Sequence, residues 1–466
     1  MFLRTRRIHF VGIGGIGMSG IAEVLRNLGY AVSGSDLRDS ETTQRLAGLG
    51  VEILQGHSPE HVKGAHVVVK STAVKADNPE VVAARDEGIP VIPRAEMLAE
   101  LMRMKKGVAV AGSHGKTTTT SLLATIFDAG GMDPTIVVGG KLNSVGTNAV
   151  LGRGEWMVAE ADESDGSFLY LSPILAIVTN IDPEHMDHYG TEEVLEEAFL
   201  QFINRVPFYG AGILCIDHPR IQKLLPEVTK RYITYGFSSQ ADIRAVDVSV
   251  SGGASRFSVM RGEEFLGPVT LHIPGRHNVL NALAAIATAM EAEIPFPVIQ
   301  QSLSRFEGVQ RRFTIRGEIG GVTVVDDYAH HPAEIRATLA AARENYGRRI
   351  IGVWQPHRFS RVGDLRDDFM RCFNDADVVC VMEVYRAGES PVEGLDAASL
   401  TRDLKHHGHK GAICTPTHND VLAQLRIAAR KGDVIITLGA GDVTQLSNRL
   451  LGVVIDAAPP TLELDG

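Results

Sequence analysis

Residues 107–120 read GVAVAGSHGKTTTT: a short apolar run, a Lys-Thr pair flanked by glycines, and the start of a helical pattern. A strand that turns on glycines into a helix aims backbone N–H groups and the positive end of the helix dipole at one point, where a phosphate chain binds. Lys116 adds a point charge and Thr117 a hydroxyl for Mg²⁺. The stretch therefore predicts a nucleoside triphosphate site made of Gly112, Ser113, His114, Gly115, Lys116, Thr117 and Thr118. The common pattern G-x-x-x-x-G-K-[ST] would need glycine where Val110 stands, which leaves the tighter Gly112-x-x-Gly115-Lys116-Thr117. Such a string alone also describes an ordinary strand-to-helix turn with a solvated lysine. Context separates the two, because Val108 to Ala111 reads as a buried strand and Leu122, Leu123 and Ile126 recur at helical spacing until Gly130-Gly131.

A chain of 466 residues exceeds one ordinary core, and roughly two to four domains are expected. With 44% hydrophobic and 22% charged residues it reads as globular, and a net charge of −10 without a long basic run argues against a nucleic-acid partner. Cys215, Cys372, Cys380 and Cys414 form no CxxC pair and are expected to be buried free thiols of a reducing cytoplasm. The opening MFLRTRR and the apolar run after it imitate a secretory signal, but Gly12, Gly14, Gly15, Gly17 and Gly20 make a poor apolar helix. No stretch approaches the roughly 18 apolar residues of a membrane span, so no membrane insertion is expected.

Working outward from the glycine turn, the N-terminal part repeats its logic. Ile8 to Val11 predicts a strand, Gly12-x-Gly14-x-x-Gly17 a turn into a helix ending near Leu28-Gly29, and Ala31 to Ser35 a second strand ending at Asp36. That is a dinucleotide-type fingerprint with an acidic residue placed to meet a ribose hydroxyl; alone it suggests NAD, though any diphosphate-bearing nucleotide satisfies the same glycines. His66 to Lys70 before Ser71, and Val91-Ile92, complete a small α/β unit. Beyond the central turn, Trp156 to Ala159 leads into Glu160, Asp162, Glu163 and Asp165, and Ile174 to Val178 into Asn180, Asp182, Glu184, His185, Asp187 and His188. Ligands gather at the carboxyl ends of parallel strands, so both clusters are expected at one crevice with the phosphate turn. Glu163 is the member most readily taken as a solvated loop residue.

Pro274-Gly275-Arg276-His277-Asn278 precedes a helical stretch, Val279 to Met290, with Asn278 near its cap and Asn281 on its first turns. Gly308 to Phe313, containing Arg311-Arg312, is a candidate hinge. A third unit alternates again: strand Val322 to Val325, Asp326-Asp327-Tyr328-Ala329-His330-His331, and a helix from Pro332 through Ala342. Strands Ile350 to Trp354, Val378 to Met382 and Val434 to Leu438 follow, the first running into QPHRFSR and the last into Gly439-Ala440-Gly441-Asp442. The tail from Ala457 reads as frayed.

Taken together, GSHGKTTTTS, EADESDGSF, NIDPEHMDHYG, PGRHNVLNA, DDYAHHPAEI and QPHRFSR occur in an order that closely resembles the Mur ligase family over nearly the whole chain. The resemblance implies three α/β domains: a Rossmann-like domain at 1–106 holding a UDP-sugar, a central P-loop ATPase-like domain at 107–312, and a Rossmann-like amino-acid domain at 313–466. It also implies ATP and Mg²⁺ as cofactors, and the family members it looks most like join L-alanine to UDP-N-acetylmuramate in peptidoglycan precursor synthesis. By motif, Lys116 binds the ATP phosphates, Thr117, Glu160 and His185 look like Mg²⁺ ligands, and Asn278 and Asn281 lie near the adenine. Arg312 reaches the phosphates from the hinge, while Gly12, Gly14, Gly15, Gly17, Asp36 and Ser71 face the UDP-sugar. Tyr328, His330, Arg358 and Arg361 look like the group around L-alanine and the reacting carboxylate, and a monomer or weak homodimer is expected. Sister ligases carry a carbamylated lysine after the His motif, yet no lysine lies between Lys141 and Lys223.

Three other readings compete. A transition-metal phosphohydrolase would use His185, Asp187, His188, Asp326, His330 and His331, but leaves Gly-Lys-Thr unexplained. An NAD-linked dehydrogenase explains only the N-terminal fingerprint, and a non-catalytic nucleotide sensor only the phosphate turn. Within the family, the recycling ligase that joins a whole tripeptide to the same sugar is the nearest competitor.

Overall fold

The structure, a computed structural model, describes residues 5–71, 73–138 and 149–452. Its chain forms two compact units, one of Met1–Asp247, Phe257–Thr270 and Val279–Val309, the other of Val248–Arg256, Leu271–Asn278 and Gln310–Gly466. The expected tail from Ala457 lies outside the described residues.

The first unit opens with a parallel sheet of β1 (Arg7–Val11), β2 (Ala31–Asp36), β3 (Glu52–Gln55), β4 (Val67–Lys70) and β5 (Val91–Pro93), in the order β3-β2-β1-β4-β5. Ile8, Phe10 and Val11 of the central strand are fully buried, the pattern of a strand covered on both faces. Connections run outward in opposite directions from β1 and β4, which opens a crevice at their carboxyl ends.

A second sheet follows: β6 (Lys106–Ala111), β7 (Thr135–Val137), β8 (Ala149–Val150), β9 (Trp156–Glu160), β10 (Leu175–Val178), β11 (Ala211–Cys215), β12 (Tyr232–Gly236), β13 (Ile243–Ser251), β14 (Ala254–Arg261) and β15 (Glu264–Leu271). Its order, β15-β14-β13-β12-β11-β10-β6-β9-β7-β8, places β6 between β10 and β9, parallel to both. Every residue of β10 and β11 is buried. Phe168 stacks on Phe202 and meets Phe199 edge-on, all three fully buried, each such ring contributing about 1.5–3 kcal/mol by leaving water.

The second unit holds β16 (Thr314–Ile319), β17 (Val322–Asp327), β18 (Ile350–Trp354), β19 (Val378–Val381), β20 (Ala412–Cys414) and β21 (Val434–Leu438), ordered β16-β17-β21-β18-β19-β20. Only β16 is antiparallel, as an edge hairpin with β17. The expected strands are all present. The helix expected through Ala342 runs Pro332–Tyr346, capped by His331 and Glu334 and ended by Gly347 at φ 58°.

The cysteine expectation needs one correction. Cys215, Cys372 and Cys380 are buried, and burial pushes their thiols up, but Cys414 ends the edge strand β20 and is exposed. An edge strand shields one side of its last residue, so its apolar neighbours in sequence were a misleading guide.

Candidate active site

The phosphate turn forms where β6 ends. Gly112 has φ 129° and Gly115, which caps the helix Lys116–Ala129, has φ 84°. Both are left-handed values that suit glycine, and a Cβ on Gly112 would overlap the Thr179 hydroxyl. The helix carries no side-chain cap at this end, so its first N–H groups are oriented to receive an anion. The carboxyl end of β10 stitches the turn: Asn180 Oδ1 accepts the His114 N–H at 2.7 Å, the Thr179 hydroxyl donates to His114 O at 2.6 Å, and Ser113 Oγ accepts the Asp182 N–H at 2.8 Å. Asn281 lies against Gly115 so closely that a Cβ there would overlap its Oδ1. The expectation that the turn and the two strand-end clusters share a crevice is met.

Lys116 Nζ donates to Gly112 O at 2.6 Å, Ser113 O at 3.2 Å and Glu163 Oε1 at 2.8 Å. Glu163, read from sequence as a solvated loop residue, is thus among the most buried acids of the unit, with 1% of its surface exposed. An acidic run looks solvated until a buried lysine supplies the countercharge that makes burial of one member possible. Burial pushes the Glu163 carboxyl up to about 7 against the pull of Lys116. The lysine, which the same burial would lower, is raised on balance by Glu163 and Glu184. These directions place one proton in contention; the two carbonyl acceptors besides Glu163 assign it to Lys116.

Glu163, Glu184 and His185 place ligand atoms within 4.8 Å of one another. Two carboxylates and an imidazole beside a phosphate turn fit a divalent cation. Of the predicted metal ligands His185 belongs to this group, whereas Thr117 opens the helix and Glu160 closes β9, both partly exposed. Glu184, which directly precedes His185, belongs to this group although sequence reading did not single it out for a metal. Asp182 bridges His114 Nε2 at 3.2 Å and His218 Nε2 at 3.5 Å. Burial opposes its ionisation, but the two imidazoles hold its carboxyl far below the usual range.

At the first sheet, Gly12 turns at φ 81° and the Ser71 N–H returns to Val11 O at 3.2 Å. Asp36 Oδ2 accepts the Gly14 N–H at 2.8 Å, so the carboxylate expected to meet a ribose also clasps the glycine turn. Gly12, Gly14, Gly15, Gly17, Asp36 and Ser71 come together at the carboxyl ends of β1, β2 and β4.

In the second unit the hinge residues Arg311 and Phe313 have φ 58° and 48°. The guanidinium groups of Arg311 and Arg312 lie 4.7 Å and 5.3 Å from the Tyr328 ring. Arg312 Nη1 pairs with Glu334 at 3.1 Å, and the other Glu334 oxygen accepts the His330 N–H at 3.1 Å. His330 Nδ1 meets Tyr328 O at 3.0 Å, and its ring sits 5.9 Å from that of His357, which stacks on Tyr385 at 5.5 Å. Arg361 Nη1 lies 3.4 Å from His357 Nδ1, and exposed Arg358 takes φ 67° at the next turn. Tyr328, His330, Arg358 and Arg361, read from sequence as one group, lie near one another, and Arg312, read as a phosphate contact, joins them together with His357, Glu334 and Tyr385. Burial first, then His330 and the arginines, lower His357 to about 4, so the ring is neutral at pH 7.

Two further corrections concern this unit. Asn278 does not cap its helix, which begins at Arg276; its side chain donates back to Pro274 O at 2.8 Å. Asp326, assigned to a metal in the hydrolase reading, is buried and consumed by Arg316 at 2.7 Å, Thr437 at 2.7 Å and Thr444 at 2.8 Å.

Comparison with known families settles the architecture. Residues 7–106 match the model described as Mur ligase family, catalytic domain; residues 110–289 match the Mur ligase middle domain; and residues 311–441 match the Mur ligase, glutamate ligase domain. This chain belongs to the Mur ligase family. The Mur ligase is three-domain α/β, and the dehydrogenase, phosphohydrolase and sensor readings fall away. It is 58% identical over 451 residues to UDP-N-acetylmuramate--L-alanine ligase of Anaeromyxobacter sp. (strain Fw109-5), covering 97% of this chain and 98% of that one. A Myxococcus xanthus protein of the same name is 56% identical, covering 96% and 94%. Among solved structures, UDP-N-acetylmuramate-alanine ligase of Thermotoga maritima superposes with TM-score 0.78 at 32% identity, covering 96% and 98%. A murein peptide ligase from Psychrobacter arcticus gives 0.68 at 25% identity, covering 97% and 100%. Among the described residues no helix of the Mur ligase is long and apolar enough to cross a membrane.

Proposed function

We propose that this Mur ligase joins L-alanine to UDP-N-acetylmuramate at the expense of ATP, with domains at 1–106, 107–312 and 313–466. The observation that carries the reading is the near-full-length identity of 58% to a relative named for that reaction. A carboxylate is a poor acyl donor, because its oxygen leaves only as oxide. Transfer of the γ-phosphoryl group of ATP to that oxygen, with ADP leaving, converts it into phosphate. The amine of L-alanine then attacks the acyl carbon, and phosphate departs with the former carboxylate oxygen.

Each proposed role is carried over by motif, and the local geometry supports it where side chains converge. Lys116 exchanges its carbonyl partners for phosphate oxygens, and the N–H groups of Gly115 to Thr118 receive the chain. Asn278 and Asn281 are assigned to the adenine side. Thr117, Glu160 and His185, with Glu163 and Glu184 nearby, would hold Mg²⁺, which when bound screens the triphosphate charge. Gly12, Gly14, Gly15, Gly17, Asp36 and Ser71 take the UDP-sugar. Arg358 and Arg361 suit the α-carboxylate of L-alanine, Arg312 the transferring phosphate, and Tyr328 frames the pocket. His330 orients the incoming amine and assists its loss of a proton.

The test is isotopic. UDP-N-acetylmuramate labelled with ¹⁸O in its carboxylate should give ¹⁸O in the released phosphate and an alanyl product by mass spectrometry. Unlabelled phosphate would exclude the acyl phosphate, and preference for a tripeptide over L-alanine would assign the chain to the recycling sister.

A further inference from the structure

A second charged cluster lies in the first sheet, apart from the phosphate turn. Glu80 follows Pro79 at the start of the helix Pro79–Asp86, where the Asn78 side chain accepts its N–H at 2.9 Å. Its side chain is 0% exposed, and three imidazoles surround it. His61 Nδ1 lies 2.5 Å from Oε1, while His57 Nδ1 at 3.1 Å and the Ser35 hydroxyl at 2.6 Å share Oε2. His9, itself fully buried, directs Nε2 towards Oε2 at 3.8 Å and keeps Nδ1 on Ser33 Oγ at 2.9 Å. Burial would raise this carboxyl, yet the imidazole and hydroxyl partners bring it down to about 2.

The cluster stands directly behind the glycine turn. Ser35 O accepts the N–H groups of Gly12 and Ile13 at 2.9 and 3.0 Å, and the next residue, Asp36, holds Gly14. Gly56, one residue before His57, donates its N–H to Asp36 O at 2.8 Å. His57 is 16% exposed, and with Nδ1 turned inward to Glu80 its Nε2 is the edge left to face a ligand.

We propose that Glu80 is a positioning residue for the nucleotide-sugar: its buried carboxylate fixes the tautomer and orientation of His57, so that His57 Nε2 meets the nucleotide beside the glycine turn. The proposal rests on the reading that this domain holds the UDP-sugar. A carboxylate accepts only, so it holds the proton on Nδ1; a glutamine in its place can donate to Nδ1 and reverse the ring's tautomer.

The experiment measures KM for UDP-N-acetylmuramate, ATP and L-alanine in wild type, Glu80→Gln, His57→Gln and the double variant, with melting temperatures alongside. In each single variant the KM for the UDP-sugar should rise at least about tenfold, the lower end for losing one hydrogen bond to a charged group. KM for ATP should stay within about a factor of two. The double variant should be no worse than the worse single one, because Glu80 acts through His57. Multiplying effects, or a lowered melting temperature with unchanged KM, would overturn the proposal. His57 is near the surface and its substitution leaves the core intact, so an unchanged KM in His57→Gln alone is also decisive against it. Absence of saturable UDP-sugar binding in the wild type would instead remove the reading beneath it.

Discussion

At the scale of single residues, the chemistry was most legible where a side chain acts through its own spacing and least where it acts through burial. Lys116 was singled out by Gly-Lys-Thr, and Tyr328, His330, Arg358 and Arg361 by the family resemblance that two short motifs carry. Glu163 did not, because only the fold brings it to Lys116. Glu334 caps the start of the helix Pro332–Tyr346 and also braces both Arg312 and His330. Lys116→Ala should lower kcat by about 10²–10³, since one electrostatic contact to a transferring phosphoryl group is worth roughly 3 to 4 kcal/mol. Steady-state phosphate release measures it, and near-normal activity would remove the phosphate-turn assignment. His277 and His357 give a pH prediction. Burial, seconded by Arg312 at His277 and by His330 and the arginines at His357, lowers both to about 4, below the ordinary histidine value. The unfolded chain then binds protons that the fold refuses, so these groups favour folding above about pH 6.5 and that contribution declines as pH falls towards about 4. Urea unfolding of His357→Gln should show a shallower loss of stability over that window than wild type, and an unchanged slope would contradict the assignment.

At the scale of elements, continuous apolar runs such as Ile350–Trp354 and Val434–Leu438 announced buried parallel strands, and the structure buries every residue of both. Helix starts were less legible: Arg276 begins the helix that sequence placed at Val279, since a side chain bonded back to Pro274 resembles a cap in sequence. The glycines of the phosphate turn are conformational requirements. Gly112→Ala combines φ 129° with overlap on Thr179, and should cost about 1–3 kcal/mol in urea unfolding together with a large rise in KM for ATP. A milder change belongs to the helix His418–Ala428, whose cap Thr417 both receives the Asp420 N–H and donates to its carboxylate. Thr417→Ala should lower stability by about 1 kcal/mol with kcat unaltered.

For the whole molecule, three sheets in one chain place a glycine turn at the end of β1, a phosphate turn at the end of β6 and a cluster of cations at the ends of β17 and β18. The sequence rhythm of strand, turn and helix made these sites visible, because each follows an apolar run directly. It did not reveal how the contacts group the chain, with the first sheet and most of the second in one compact unit and Val248–Arg256 of the second sheet in the other. Long-range packing decides that, and local pattern carries no record of it. The measurement that tests the account most directly is phosphate release from ATP with UDP-N-acetylmuramate and L-alanine supplied singly and together. Release that needs both, with an alanyl adduct by mass, is the predicted result. Release without the sugar, or indifferent to L-alanine, would contradict it.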